Sequence, residues 1–336
     1  MTAATPQRSN TQGKDDMLKT LLRASLVLLA FTAAASAEPI KVTLLGTGVP
    51  TPRPTSFSAS TLVEAGNEKL LFDLGRGSTM QLYKLKIPLG AITANFITHL
   101  HSDHIVGLPD MWLTGWLATP WASRKGPMKL YGPKGTVAMT ENLTKAFADD
   151  IRIRIDDEHL DPKAIEFNAR DIEAGIVYDN NGVKVTAIEV NHGEKIKPSF
   201  GYVVEYGSHK VVLSGDTKYD ERIAKAAEGA DLLIHEVAVI EPELLIKNPV
   251  YKDIQAHHTS PEEAGRIFAS AKPKLAVYSH IVFGTAKPAP DIPEEPLILR
   301  TRAAYKGPLL VGRDMMSFKI GDTVEAFGPD GAKLDP

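Results

Sequence analysis

The stretch Ile97-Thr98-His99-Leu100-His101-Ser102-Asp103-His104 constrains this chain more than any other. It places three histidines and an aspartate within six residues, directly after the largely apolar run from Ile92 to Ile97. Such a run reads as a short buried strand, so the cluster falls on the loop leaving the strand's C-terminal end. In an extended segment, side chains two apart share a face. His99 and His101 can therefore hold one metal ion, while Asp103 and His104, one turn later, serve a second. Imidazole and carboxylate are donors that suit zinc and similar divalent ions. A lone histidine here would read as an ordinary satisfied polar residue, but four donors at this spacing point to a cation.

Other parts of the chain converge on the same picture. Ile40–Leu45, Ser60–Val63, Lys69–Phe72, Met128–Tyr131, Gly175–Tyr178, Val183–Val190, Phe200–Glu205, Lys210–Leu213, Asp231–Ile234, Lys274–Tyr278, Leu309–Val311 and Met316–Ile320 read as strands. Helical patterns cover Ser78–Leu85, Pro109–Leu117, Gly135–Ala148, Asp220–Ala227 and Glu294–Ala304. Another helix starts at Ser260, an N-cap followed by proline at the first helical position. Five strands end in a polar donor: His99, His192, Asp216, the pair His235/Glu236, and His280. Ionisable groups gathered at strand ends above an apolar core read as one site. Trp112, Trp116 and Trp121 lie near the opening motif, where they either pack a helix or wall the site.

The chain has 336 residues, enough for a sizeable core, but residues 1–37 read as a leader. Lys19 and Arg23 precede the apolar run Ala24–Ala34, and Ala35-Ser36-Ala37 follows. A basic start, a short apolar middle and a small-x-small end make a secretory signal, cut after Ala37, with Met17 as an alternative start. The run is too short to span a bilayer, so the expected product is periplasmic or secreted with no stable membrane anchor. Residues 38–336 then form a single domain carrying 34 basic and 39 acidic side chains, a net charge of −5. That balance gives no general pull on nucleic acid, which is not expected as a partner. The sequence has no cysteine, so every metal ligand must be His, Asp or Glu.

The His-x-His-x-Asp-His pattern resembles the signature of the metallo-β-lactamase superfamily. Further stretches resemble its ribonuclease Z and arylsulfatase-type phosphodiesterase branch: Leu45-Gly46-Thr47-Gly48, Leu71-Phe72-Asp73-Leu74-Gly75, Pro198-Ser199-Phe200-Gly201-Tyr202, Ser214-Gly215-Asp216-Thr217, Leu233-Ile234-His235-Glu236 and His258-Thr259-Ser260. The resemblance implies an α/β fold, a four-layer αββα sandwich. It implies two divalent metal ions, most simply zinc, one held by His99, His101 and His192, the other by Asp103, His104 and His280, with Asp216 between. Such a set leaves positions open for water, which suits catalysis better than a closed structural site. Paired ions roughly 3.5–4 Å apart lower the pKa of a shared water towards neutrality, making hydroxide the nucleophile. In this family picture Asp103 orients that nucleophile or takes its proton. His258 gives a proton to the leaving group, Glu236 orients His258, and Asp73 supports a ligand histidine.

The expectation is an exported dinuclear hydrolase of phosphodiester or aryl sulfate esters, acting on a small anionic substrate and able to form a homodimer as the branch does. Ribonuclease Z is similar but typically carries a long arm between the motifs held here by His192 and Asp216; only 23 residues separate them in this chain. The alternatives are a ribonuclease Z-type tRNA 3' endonuclease, a β-lactamase or lactonase, and a metal-binding module without turnover.

Overall fold

Strands buried on both faces dictate the layering. The computed structural model describes residues 1–5, 39–284 and 294–336; the expected leader, beyond its first five residues, lies outside that set. In chain order the elements begin with β1 (Ile40–Gly46), β2 (Ser60–Ala65), β3 (Glu68–Phe72), α1 (Ser78–Lys84), β4 (Ala94–Phe96), α2 (Ser102–Ile105), α3 (Leu108–Trp116), β5 (Met128–Gly132), α4 (Thr136–Ala146), α5 (Ala148–Glu158) and β6 (Phe167–Asp171). They continue with β7 (Gly175–Asn180), β8 (Val183–Val190), β9 (Ser199–Tyr206), β10 (His209–Leu213), α6 (Glu221–Ala226), β11 (Leu232–Ile240), α7 (Pro242–Lys247), α8 (Pro249–His257), α9 (Pro261–Ala271) and β12 (Leu275–Gly284). The chain closes with α10 (Glu294–Thr301), β13 (Leu309–Val311), β14 (Ser317–Ile320), β15 (Val324–Phe327) and β16 (Lys333–Leu334).

All nine residues of β11 are buried. A strand apolar on both faces needs a layer above and below it. One sheet runs β16-β15-β14-β1-β2-β3-β4-β5-β6 and the other β13-β12-β11-β10-β9-β8-β7. Their inner faces meet through Val42, Leu70 and Phe96 from the first and Val185, Tyr202 and Val277 from the second. On the outer face of the first sheet Leu62, Leu71 and Leu130 pack with Leu108, Met111 and Trp112 of α3. On the outer face of the second, Val212, Leu233 and Ala276 pack with Ile223 of α6 and Ile267 and Phe268 of α9. Two sheets face to face with helices outside each make the αββα sandwich the sequence led us to expect.

Some elements differ from that reading for physical reasons. The expected helix from Gly135 to Ala148 breaks at Phe147 and resumes as α5, whose sequence Ala-Asp-Asp-Ile-Arg-Ile-Arg-Ile-Asp-Asp-Glu buries none of its residues. Its support is lateral: Arg154 bonds Asp150 at 3.1 Å and Glu158 at 2.8 Å, four residues to either side. Edge strand β6 is mostly exposed and carries little strand patterning. β11 and β12 run beyond the expected ends at Ile234 and Tyr278, so Glu236 and His280 lie within strands rather than after them. Trp112 and Trp116 are helix-packing residues: their indole N–H groups donate to the carbonyls of Ile165 at 2.6 Å and Asp161 at 2.9 Å.

One buried carboxylate ties the two sheets together. β7 and β8 are joined by Asn181-Gly182, both at positive φ (50° and 79°), the two-residue turn whose twist suits a hairpin. That turn presents its polar side chains to Glu68 at the start of β3. Tyr178 Oη donates to Glu68 at 2.6 Å, and the amides of Asn180 and Asn181 donate at 2.7 and 2.6 Å. Burial alone would raise this carboxyl, but hydrogen bonds from Tyr178, Thr93, Asn181 and Asn180 outweigh it and hold the pKa below the ordinary value of 4.5. The stabilisation is therefore complete above that value and lost as pH falls through the lowered one. Glu68→Ala should cost about 1–3 kcal/mol at neutral pH, read from the urea midpoint, because its donors lose their acceptor. The gap from the parent should narrow on acidification. An unchanged midpoint at pH 7 would show that Glu68 is not the clasp.

Candidate metal centre

The site forms where β4 of one sheet meets β8, β10, β11 and β12 of the other. Phe200 N bonds Thr98 O at 2.9 Å, which locks the end of β4 against β9. His99 and His101 follow at once, and the single turn α2 brings Asp103 and His104 back beneath them. His192 follows β8, and Asp216 follows β10. Gly215, just before Asp216, has φ +59°, and a Cβ there would lie 2.3 Å from Phe200 O, so only glycine delivers the aspartate into the site. His280 is aimed by a bulge. Between the pairs His235↔Tyr278 and Val237↔Ile281, β12 spends Ser279 and His280 against the single residue Glu236 of β11. His280 adopts φ 45°, a conformation that costs a non-glycine residue about 1–2 kcal/mol.

Asp216 is the hub. Its Oδ2 lies 3.8 Å from His99 Nε2, 3.7 Å from His192 Nε2, 3.5 Å from His104 Nε2 and 3.4 Å from His280 Nε2. On one side of it, His101 Nδ1 is 2.8 Å from His99 Nε2 and 3.4 Å from His192 Nε2. On the other, Asp103 Oδ2 is 3.1 Å from His280 Nε2 and 3.6 Å from His104 Nε2. Two nitrogens bound to one tetrahedral ion at about 2.1 Å stand about 3.4 Å apart. The structure thus brings together His99, His101 and His192 as one trio and Asp103, His104 and His280 as a second, with Asp216 between.

The outer atoms of these rings are fixed. His192 Nδ1 donates to His257 O at 2.9 Å, and His104 Nδ1 donates to Asp73 Oδ2 at 2.7 Å. Asp73, itself at φ 58°, also accepts from Thr98 N at 2.8 Å and from Thr98 Oγ1, whose oxygen lies 3.1 Å from His99 Nδ1. Each bond spends the far nitrogen as a donor and leaves Nε2 with its lone pair turned to the centre. Asp73 thus fixes the ring of His104.

The electrostatics suit a cation. Burial holds His99 well below the ordinary imidazole value, lowers His101, and takes His192 down to about 4, so these rings are neutral and free to donate. At His104 burial opposes charging, yet Asp73 and Asp216 outweigh it and raise the ring well above the usual value. The carboxylates want a positive charge there, which a metal ion can supply in place of a proton. Asp103 Oδ1 and His104 Nε2 are buried with no hydrogen-bond partner among the described residues. Buried acceptors left so are costly, and a cation satisfies them. The donor set therefore fits the two divalent ions expected, and bound there such ions would lower the pKa of water and offset charge on a phosphate ester.

Beside the trios stands a second pair. His258 Nδ1 donates to Glu236 Oε2 at 3.0 Å, and the other carboxylate oxygen accepts from Thr259 N at 2.8 Å. Burial opposes charging of His258, but Glu236 prevails and raises it to about 9. Its ring lies 5.0 Å from that of His192 and is stacked 5.7 Å from that of His280. His235, in contrast, points away: its ring is 5.8 Å from Phe268 in the outer helical layer, and it is not part of the site. Alternation along β11 places neighbours on opposite faces, so the pair His235/Glu236 contributes only its second member.

Comparison with known proteins agrees with this architecture. The profile of the beta-lactamase superfamily domain matches residues 68–281. Ribonuclease Z from Mycobacterium marinum is 36% identical over 248 residues, spanning 72% of this chain and 86% of that protein. Ribonuclease Z from Mycobacterium bovis is 35% identical over 246 residues with the same shares. Among solved structures, the metallo-beta-lactamase fold protein YhfI from Bacillus subtilis superposes with a TM-score of 0.65 at 18% identity, over 84% of this chain and all of its own. Human tRNase Z, short form, reaches 0.58 at 24% identity, over 83% of this chain and 99% of its own. The exclusion of nucleic acid drawn from net charge does not survive relatives named ribonuclease Z. Net charge averages the whole surface, whereas association is governed by charges within about a Debye length, ~8–10 Å, of the site. The chain belongs to the metallo-β-lactamase superfamily of metal-dependent hydrolases, in its ribonuclease Z branch.

Proposed function

We propose that this protein hydrolyses phosphodiester bonds in RNA, as a metal-dependent phosphodiesterase of the ribonuclease Z type. The observation that carries the reading is the Glu236–His258 pair at 3.0 Å beside the seven clustered donors. An alkoxide expelled from a phosphodiester is a poor leaving group until it receives a proton. His258, held protonated by Glu236, keeps Nδ1 committed to that carboxylate and has Nε2 left to give. Water adds to phosphorus and gives up one proton to Asp103, the bond from phosphorus to the leaving oxygen breaks, the His258 proton passes to that oxygen, and the proton on Asp103 returns through solvent to His258. One phosphomonoester and one alcohol result. Asp103 orients the attacking water in this reading, which its oxygen left without a partner among the described residues supports. Identity of 35–36% to proteins named ribonuclease Z supports phosphodiester over sulfate ester or lactam as the bond cleaved.

His258→Ala in the zinc-loaded protein should lower kcat for bis-p-nitrophenyl phosphate by about 10²–10⁴-fold, the usual contribution of a general acid, with bound metal retained. Unchanged turnover would remove His258 from the chemistry. A parallel panel of a precursor tRNA, bis-p-nitrophenyl phosphate, p-nitrophenyl sulfate and nitrocefin should show cleavage of the first two. Hydrolysis of the sulfate or of nitrocefin alone would contradict the proposal.

The leader-like segment supports the same chemistry acting outside the cytoplasm. Amino-terminal sequencing of the protein from the cell envelope or medium should begin at Glu38. A cytoplasmic chain starting at Met1 or Met17 would contradict export.

A further inference from the structure

The helices α7 and α8, inserted between β11 and His258, were not legible as part of any site, yet they build its outer wall. They and the loop after Asp216 enclose a groove of about 790 Å³, lined among others by Asn191, Lys218, Tyr219, Lys252, Gln255 and His258. His258 therefore faces two ways, towards the clustered donors and into this groove. The groove thus borders the residue that would give the leaving group its proton.

Two lysines bring positive charge to the groove. Neither Lys218 nor Lys252 forms an ion pair among the described residues. Two acids nearby, Glu263 and Glu194, have closer partners, although Glu194 also feels the charge of Lys218. Glu263 accepts from Ser260 N at 3.0 Å and Ser260 Oγ at 2.8 Å and lies 3.7 Å from Arg266. Glu194 accepts from Lys197 at 2.9 Å. Lys218 is positioned by its backbone, whose N–H donates to Asn191 O at 2.8 Å, next to His192. Lys252 projects from α8, which is anchored by Asn248 Oδ1 accepting from Val250 N at 3.1 Å. Two lysines without an ion pair among the described residues, on an open groove that His258 also lines, suit an anion carried by the departing alcohol.

We infer that Lys218 and Lys252 bind a phosphate on the leaving-group side of the scissile bond, so that the preferred substrate is an oligonucleotide whose released alcohol fragment bears its own phosphate. This deepens the phosphodiesterase reading and rests on it. Lys218 and Lys252 are specificity residues here; they do not touch the reacting phosphorus.

The test uses the zinc-loaded full chain and three dinucleotides: ApA, ApA with a 5'-phosphate, and ApA with a 3'-phosphate. Mass spectrometry of the products identifies which fragment leaves as the alcohol. The phosphate on that fragment should raise kcat/KM over ApA by about tenfold or more, the worth of one charge-assisted contact. The double variant Lys218→Ala/Lys252→Ala should bring that ratio close to one, and Lys252→Glu should lower it further. The ratio compares two substrates on one protein, so a partly misfolded variant does not mimic the effect. A ratio near one in the parent, a gain confined to phosphate on the other fragment, or a ratio untouched by the double variant would each overturn the inference while leaving phosphodiester hydrolysis standing. Failure to cleave any dinucleotide or bis-p-nitrophenyl phosphate would overturn the underlying function as well.

Discussion

A buried carboxylate ringed by imidazoles is the interaction on which this structure turns. Asp216 is almost wholly removed from water, and its Oδ2 lies within 4 Å of four histidine Nε2 atoms. Burial by itself would make its carboxyl harder to ionise, but His280 and His104 overcome that and hold it well below the usual range. An anion so enclosed demands positive charge, and the neutral histidines His99, His101 and His192 on one side of it offer lone pairs to whatever supplies that charge. The fold is arranged to deliver those groups to one point. Both sheets contribute, so the centre assembles only when the sandwich closes, and folding and metal binding become linked.

Strained or steric devices cluster at the same place. Asp73 and His280 adopt left-handed backbone conformations, and Gly215 occupies one that no side chain would fit. Each turns a residue out of the regular strand path and towards the centre. The Glu236–His258 pair shows the same logic with charge. Glu236 lies within a strand beside the bulge that turns His280, so one local irregularity positions a ligand and the anchor of a proton donor together. Local strain of this kind persists where the surrounding structure over-determines it, and here the two packed sheets provide that support.

The clustering of these donors was largely legible because they sit in a compressed motif and at the ends of apolar runs. His99, His101, Asp103 and His104 announce themselves by spacing; His192, Asp216 and His280 follow from strand patterning together with resemblance to a family. What was not legible depended on long-range contact. His235 and Glu236 are adjacent in sequence, yet pleating sends one into the helical layer and the other into the site. Asp314 accepts from Thr47 N at 2.9 Å and Phe57 N at 2.7 Å, pinning the loop after β1, but nothing around it in the sequence signals that role. The helices α7 and α8 bury no residue and carry no strong apolar pattern, so the wall they give the groove emerged only from the three-dimensional arrangement. Net charge misled because it is a property of the whole chain and says nothing of Lys218 and Lys252 at one edge.

Asp216 stands between the two histidine-containing trios, where it would be shared by the two metal ions they would hold. X-ray absorption spectroscopy at the zinc edge of the fully loaded protein tests it most directly. The account predicts nitrogen and oxygen ligation without sulfur, and a zinc–zinc vector at roughly 3.5–4 Å that disappears in Asp216→Ala. A single isolated zinc, or a metal–metal vector unaffected by that substitution, would contradict it.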